Sequence, residues 1–216
     1  MTVNRTDNAN LVSKLALRRY FLRKYHDEKP PHVMDCCQGT GVIWSRLRLE
    51  FELVSYWGID EKPRKGRLKI DSARILSQPG WPQDVIDIDT YGSPWKHWRS
   101  LLPNLSRPTT VFLTIGVGGN GIRRKIGSDS LEALQLGTLT TKIPHGIEVR
   151  LGVFAVSYCL AMGCDYATMM EVAESPPGRN ARYIGVRLEP LKSGDPQVRT
   201  ASRPEHTRSE KETEHV

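Results

Sequence analysis

The chain has 216 residues, of which 38% are hydrophobic and 25% are charged, so it suits one globular domain with an ordinary core. No apolar run is long enough to span a bilayer and the N-terminus lacks an apolar signal core, which excludes a membrane-spanning helix and predicts a cytoplasmic protein. The net charge of +7 favours a polyanionic or acidic partner, although many soluble proteins are mildly basic. Neither the four cysteines nor the six histidines have the spacing of a metal site, so no metal is expected.

The first predicted element is a helix over residues 11–25, which follows a polar N-terminal stretch. Leu11, Leu15, Leu22 and Tyr25 fall near one face, and basic side chains occupy the other faces. These basic residues are Lys14, Arg18, Arg19, Arg23 and Lys24. Two interpretations stay open for residues 1–31: a packed helix with a solvated basic side, or a basic arm that contacts phosphates.

Strands and helices then alternate along the chain. Five short apolar runs predict strands: "HVMDCC" (32–37), "LVSYWGID" (53–60), "RLKID" (67–71), "DVIDID" (84–89) and "TTVFLTIG" (109–116). Helical segments are predicted between them at residues 42–52, 73–81 and 94–102. This alternation predicts a parallel sheet that is covered by helices on both faces.

The second half of the chain predicts two more helices and a last pair of strands. The helices cover residues 128–137 and 146–163. The strands "YATMMEVAE" and "RYIGVRLEPL" are separated by the turn signal "SPPGRN", which predicts an antiparallel hairpin. Residues 192–216 contain almost no large apolar side chains and predict a disordered tail.

Carboxylates end four successive predicted strands. Asp35 ends the first, Asp60 the second, Asp71 the third, and Asp87 with Asp89 the fourth. In an open α/β sheet, ligands bind outside the carboxyl ends of the strands. One such acid could simply cap a helix, but several at one edge are costly to bury unless they are paired or bound. This edge of the sheet is therefore the predicted site.

The first two strand ends have the parts of a pocket for an adenosine-containing cofactor. Gly39 and Gly41 lead into a helix, and small residues there let the backbone approach a ligand closely. Asp60 ends the next strand about twenty residues later, where a carboxylate can hold two ribose hydroxyls. An acid at the third strand end, Asp71, could accept a hydrogen bond from an adenine amino group.

Three segments resemble motifs of the class I S-adenosylmethionine-dependent methyltransferases. "DCCQGTG" is similar to their glycine-rich first motif, with Cys37 where the first glycine would stand. "GIDE" resembles their acidic second motif, and "KIDSA" resembles their third. The resemblance implies S-adenosyl-L-methionine as cofactor. It places these residues around the cofactor: Asp35, Gly39, Gly41, Asp60, Asp71 and Ser72.

The same resemblance implies a fold. It covers residues 32–191, which would form a Rossmann-like α/β sandwich with a mostly parallel seven-stranded sheet and a C-terminal antiparallel hairpin. The hairpin distinguishes this fold from dehydrogenase folds.

"DIDTYGSP", residues 87–94, resembles a fourth methyltransferase motif. It is similar to the "DPFGSP" or "DPYGSP" segment of the tRNA guanine-N2 methyltransferases, with Thr90 in place of the proline. The resemblance implies an exocyclic amine as methyl acceptor. It makes Asp89 the acceptor of an amine N–H, and Tyr91 the ring that stacks on a base turned out of its helix. The alternative is a purely structural role as a strand-to-helix connection, with Ser93 as the N-cap and Pro94 at the first helical position.

Other features are interpreted as secondary. "GVGGNG", residues 116–121, matches a dinucleotide-binding loop, but it follows the fifth strand and no acid-ended strand comes about twenty residues later. A loop beside the substrate entrance is favoured instead. His97 is a weak candidate for a general base, and Trp95 and Trp98 are predicted to be packing residues.

The function that these observations favour is methyl transfer from S-adenosyl-L-methionine to an exocyclic amine of a nucleic-acid base, with RNA slightly favoured over DNA. Two alternatives stay open. One is a methyltransferase-like binding or accessory protein without activity, suggested by Cys37 and Thr90. The other is a methyltransferase for a protein or a small molecule.

Overall fold

Six strands form one mixed sheet in the computed structural model, which describes residues 10–61, 69–90, 93–116, 167–176 and 181–190. The strands are β1 (His32–Asp35), β2 (Ser55–Gly58), β3 (Val85–Ile88), β4 (Thr109–Gly116), β5 (Ala167–Glu174) and β6 (Ala181–Pro190). Their spatial order is β2-β1-β3-β4-β6-β5. Strands β1 to β4 pair in parallel, whereas β6 is antiparallel to both β4 and β5.

The predicted third strand is represented by a single bridge. Residues 67 and 68 lie outside the described part of the chain, and Lys69 pairs in parallel with Asp60. The amide of Ile70 donates a hydrogen bond of 3.1 Å to the carbonyl of Asp60. Since the described sheet has six strands, the count of seven stays a prediction.

Helices cover both faces of this sheet. They are α1 (Leu11–His26), α2 (Val42–Leu47), α3 (Ser72–Leu76) and α4 (Trp95–Leu101), followed by a 3-10 helix at Leu102–Asn104. Successive residues of a strand point to opposite faces. Met34 and Ile86 accordingly pack with α3 and α4, while Val33 and Val85 pack with α1 and α2.

Trp95 and Trp98 have no exposed surface and belong to the core on the α3–α4 face. Their predicted role in packing is confirmed. The helix that contains them begins at Trp95, one residue later than the sequence predicts, and Pro94 is its N-cap. The Ser93 hydroxyl still accepts a long hydrogen bond from the amide of Trp95, at 3.4 Å.

Helix α1 carries two of its basic side chains towards the sheet. The interpretation of a solvated basic side does not hold for Lys14 and Arg18, because only 6% of Lys14 and 1% of Arg18 is exposed. Among the other basic residues, Arg19 pairs with Glu50 and Lys24 pairs with Glu171. The helix is therefore packed against the domain by charged as well as apolar contacts.

A close approach between α1 and β6 gives a first testable expectation. A Cβ atom added at Gly185 would lie 2.3 Å from Cε2 of Phe21, a side chain with no exposed surface. We expect Gly185→Ala to lower the free energy of unfolding by about 1–3 kcal/mol, measured by urea denaturation. Phe21→Ala removes the obstructing ring, so adding Gly185→Ala to it should cost less than in the natural chain. Simple additivity of the two variants would contradict this explanation.

Several predicted segments lie outside the described residues. They are the helices at 128–137 and 146–163, the glycine loop beyond residue 116, and the tail from residue 192. Within the described ranges, no helix combines the length and the apolar character needed to cross a membrane.

Candidate active site

The glycine loop after β1 is anchored to the residues that follow β2. The amide of Gln38 donates to the carbonyl of Ile59 at 3.0 Å, and the amide of Gly39 donates to Oδ2 of Asp60 at 2.8 Å. Gly39 and Gly41 have φ values of 50° and 73°, a left-handed conformation that favours glycine. The structure therefore brings together Gly39, Gly41 and Asp60, three residues that the sequence assigns to one pocket.

Asp35 is held by protein groups at the end of β1. Only 4% of it is exposed, and its Oδ2 accepts a hydrogen bond of 2.8 Å from the hydroxyl of Tyr56. Gln38 donates in turn to that hydroxyl at 3.1 Å. Burial, and then the charge of Asp87, raise the pKa of Asp35 well above its usual value. This environment favours the neutral carboxyl.

Asp71 and Ser72 have structural partners at the start of α3. Asp71 is the N-cap: its Oδ1 accepts from the amide of Ala73 at 3.0 Å, and its Oδ2 accepts from Nζ of Lys96 at 2.9 Å. The buried Ser72 hydroxyl donates to the carbonyl of Cys36 at 2.8 Å. The sequence left open that an acid at a strand end could cap a helix, and Asp71 has that role.

His97 joins this arrangement from α4. Its Nε2 lies 2.8 Å from Oγ of Ser72, and since that hydroxyl gives its proton to Cys36, Nε2 must be the donor. Nδ1 of His97 is then an acceptor, and it is buried without a hydrogen-bond partner among the described residues. Burial lowers the pKa of His97, which favours the neutral ring. His97 therefore donates a hydrogen bond that helps to hold the Ser72 hydroxyl in place.

Asp87 is fully engaged inside the domain. Arg18 donates to it twice, from Nε to Oδ2 at 2.7 Å and from Nη2 to Oδ1 at 2.5 Å. Nε1 of Trp44 also donates to Oδ2, at 2.7 Å. Both members of the ion pair are 1% exposed. Asp87, to which the sequence assigns no role, thus holds α1 and α2 to β3.

Asp89 lies one residue beyond β3 and contacts Lys14. Nζ of Lys14 donates to Oδ1 at 2.9 Å and to Oδ2 at 2.7 Å, and the two side chains are 7% and 15% exposed. Burial alone would raise the pKa of Asp89. The positive charges of Lys14 and Arg18 outweigh it, so that the pKa lies below its usual value. Asp89 is therefore an ionised hydrogen-bond acceptor at neutral pH.

The turn after Asp89 is only partly described. Oγ1 of Thr90 donates to the carbonyl of Thr114 in β4 at 3.4 Å, so the residue that replaces proline ties the turn to the neighbouring strand. Tyr91, the predicted stacking residue, lies outside the described residues, as does Gly92. In the described ranges, no group of three or more His, Cys, Asp or Glu residues could hold a metal ion.

Comparison with known proteins adds structural likenesses but no sequence match. No family model matches the chain, and no curated protein does so either. Trm1 from Pyrococcus horikoshii, solved in complex with S-adenosyl-L-methionine, resembles it with a TM-score of 0.51 and 16% identity. That likeness covers 84% of this chain and 54% of Trm1, so this chain spans about half the length of that protein.

A protein assigned as a hemolysin from Lactococcus lactis is similar at a TM-score of 0.50 and 12% identity, over 82% of this chain and 86% of that one. At such low identities the likeness shows the fold alone. The likeness to Trm1 is consistent with the predicted Rossmann-like methyltransferase fold. The seven strands and the site residues that the motifs imply stay predictions.

Proposed function

We propose that this protein transfers a methyl group from S-adenosyl-L-methionine to an exocyclic amine of a nucleic-acid base, with RNA favoured over DNA. The observation that carries the proposal is the Asp89 carboxylate, which contacts Lys14 just beyond the carboxyl end of β3. Because β3 lies parallel to β1, Asp89 is at the same sheet edge as the glycine loop. The net charge of +7 supports a polyanionic substrate.

The residues present at the first two strand ends fit the cofactor. Gly39 and Gly41 have left-handed backbones without side chains, and the Asp60 carboxylate lies against the loop. The Trm1 structure, with S-adenosyl-L-methionine bound to the same fold, supports this choice. We assign Asp60 to the ribose hydroxyls and the loop to close backbone contact. Asp35, Asp71 and Ser72 would shape the pocket through the partners described above.

The cofactor would supply an electrophilic methyl group and keep the electron pair of the S–C bond that breaks. The chain would prepare the amine that receives the methyl group, which then loses one N–H proton to solvent. An sp² amine is a poor nucleophile because its lone pair is delocalised into the ring. A carboxylate that accepts one N–H can turn that lone pair out of the ring plane, and Asp89 is placed for this role. The lowered pKa of Asp89 makes it a weak base. It therefore suits the role of a hydrogen-bond acceptor that orients the amine more than the role of a general base. Tyr91 is proposed to stack on the base.

Asp60 gives a direct test of the cofactor site. We expect Asp60→Ala to weaken S-adenosyl-L-methionine binding by about tenfold or more, because the ribose and the amide of Gly39 both lose an acceptor. Calorimetric titration of the purified protein measures the affinity. Glu50→Ala is a matched control, because it removes an acid on the protein surface that pairs with Arg19. Unchanged binding in Asp60→Ala would remove this residue from the cofactor site.

The substrate class is tested by incubating the protein with methyl-labelled S-adenosyl-L-methionine and separate pools of tRNA, rRNA, DNA and protein. We expect label in RNA. Label only in DNA or only in protein would replace the substrate part of the proposal. Cofactor binding without transfer to any pool would favour the alternative of an accessory protein.

A further inference from the structure

Lys14 is the least expected residue of the site, and neighbouring groups contact both its side chain and its backbone carbonyl. Its Nζ bridges the two Asp89 oxygens and lies 5.3 Å from the centre of the Tyr183 ring. Its carbonyl accepts a hydrogen bond of 3.0 Å from Nη1 of Arg18, one helical turn later. With 6% of the residue exposed, the ammonium group has little freedom to turn away from Asp89.

The contact leaves Asp89 able to accept more hydrogen bonds. An ionised carboxylate has about four lone-pair sites, two on each oxygen. Lys14 uses one site on each oxygen, because it donates to Oδ1 and Oδ2 separately. The side-chain hydroxyl of Thr114 also stabilises the charged carboxylate. Among the described contacts, at least one of the four sites is therefore left for an amine N–H. Lys14 can thus stay bound while Asp89 receives a substrate.

The charges around Asp89 show why a cation is needed there. The groups that face it are Lys14 and Arg18 from α1, Asp35 from β1, Cys37 from the loop after β1, and Asp87 from β3. Three ionised carboxyl groups in one buried cluster would repel one another. With Asp35 kept neutral by burial, the two cations balance the two remaining carboxylates. Removing Lys14 would leave one cation, Arg18, to balance two buried carboxylates, and Arg18 already donates twice to Asp87.

We propose that Lys14 is a positioning residue for methyl transfer, which fixes the Asp89 carboxylate so that it presents acceptor sites to the target amine. The inference rests on the proposed function, because it assigns Lys14 a role in that same site. The signal for it is the geometry of one ammonium shared by both oxygens at 2.9 and 2.7 Å.

The test compares Lys14→Met, which keeps the stem but not the charge, with Lys14→Arg, which keeps a cation. In the natural protein a lowered pKa keeps Asp89 ionised, so transfer should persist until the pH falls below the usual carboxyl range. Without the cation, burial raises that pKa. The acid limb of kcat should then move up by about one pH unit or more, and kcat at neutral pH should fall about tenfold or more. The KM for S-adenosyl-L-methionine should stay within about twofold.

Lys14→Arg should recover the natural acid limb. Lys14→Gln, which keeps a donor but no charge, should shift it in the same direction as Lys14→Met and is the second variant if the latter does not fold. A lower kcat with an unchanged acid limb in the uncharged variants would overturn the proposal, because a purely structural role predicts that result.

Failure of the proposed function is recognised separately. The carboxyl of Asp89 is titrated by NMR in carboxyl-labelled protein without substrate, with Asp89→Asn to assign the signal. A higher midpoint in Lys14→Met supports the coupling even if no substrate pool is methylated. An unchanged midpoint overturns it even if the natural protein is an active methyltransferase.

Discussion

Replacement of Asp89 by Asn is expected to slow methyl transfer by about 10²–10³-fold while cofactor affinity stays within about twofold. The amide has nearly the same shape as the carboxylate, but it offers one uncharged acceptor oxygen where Asp89 offers two charged ones. Lys14 would compete with the target amine for that oxygen, since it now contacts both oxygens of Asp89. Single-turnover transfer of labelled methyl measures the chemical step, and calorimetry measures the affinity.

Asp84→Asn is the matched control for this experiment. Asp84 precedes β3 at the opposite end from Asp89, where its Oδ2 accepts a hydrogen bond from the amide of His32 at 3.2 Å. The same change of a carboxylate to an amide should leave transfer unaffected there. If Asp89→Asn transfers methyl as fast as the natural chain, Asp89 has no part in the chemistry.

The second large effect concerns stability. We expect Arg18→Met to lower the free energy of unfolding by about 3–5 kcal/mol, because it leaves the Asp87 carboxylate buried without a counter-charge. Neither side chain is more than 1% exposed, so water cannot replace the lost partner in place. Urea denaturation monitored by tryptophan fluorescence measures the change.

The double variant Arg18→Met with Asp87→Asn separates the lost charge from the lost packing. Asn at 87 is neutral, yet its oxygen can still accept from Nε1 of Trp44. We expect it to recover more than half of the loss in Arg18→Met, because breaking a buried pair costs more than removing both charges. A double variant as unstable as Arg18→Met would show that the guanidinium contributes mainly by filling space.

The cofactor side of the site could be predicted because its parts are close in the sequence. Gly39 and Asp60 are 21 residues apart and follow two consecutive strands whose carboxyl ends meet at one edge. The order of strand, glycine loop, helix and acid-ended strand is sufficient to bring them together. Trp95 and Trp98 were predictable for a similar reason, because their spacing on one short helix places both in the core.

The charged layer beneath α1 could not be predicted from hydrophobic periodicity. That pattern assigns Lys14 and Arg18 to water because both are charged. It cannot reveal their partners, which are 75 and 69 residues away in the sequence. A weaker signal does exist. Four residues of a helix rise about 6 Å, and two residues of a strand rise about 6.6 Å, so a Lys–Arg pair at i and i+4 can match an Asp pair at i and i+2. Nothing in the local sequence selects this match over solvent exposure.

The exact length of the third strand was also beyond the sequence. "RLKID" has the composition of a strand, but Lys69 makes only one described bridge, to Asp60 beyond the end of β2. Pairing depends on a neighbour of sufficient length, and β2 ends at Gly58. Tyr56 donates a hydrogen bond to Asp35, and Trp44 donates one to Asp87. Neither bond could be predicted, because a single hydrogen bond to a distant acid produces no periodic pattern in the sequence.

The pairing of α1 with β3 also constrains the order in which the chain can fold during its synthesis. Lys14 and Arg18 leave the ribosome about 70 residues before their partner carboxylates. The helix can form early, but burying two cations before β3 exists would cost several kcal/mol for each charge. We therefore expect α1 to remain undocked and its basic groups hydrated until the segment containing Asp87 and Asp89 has emerged.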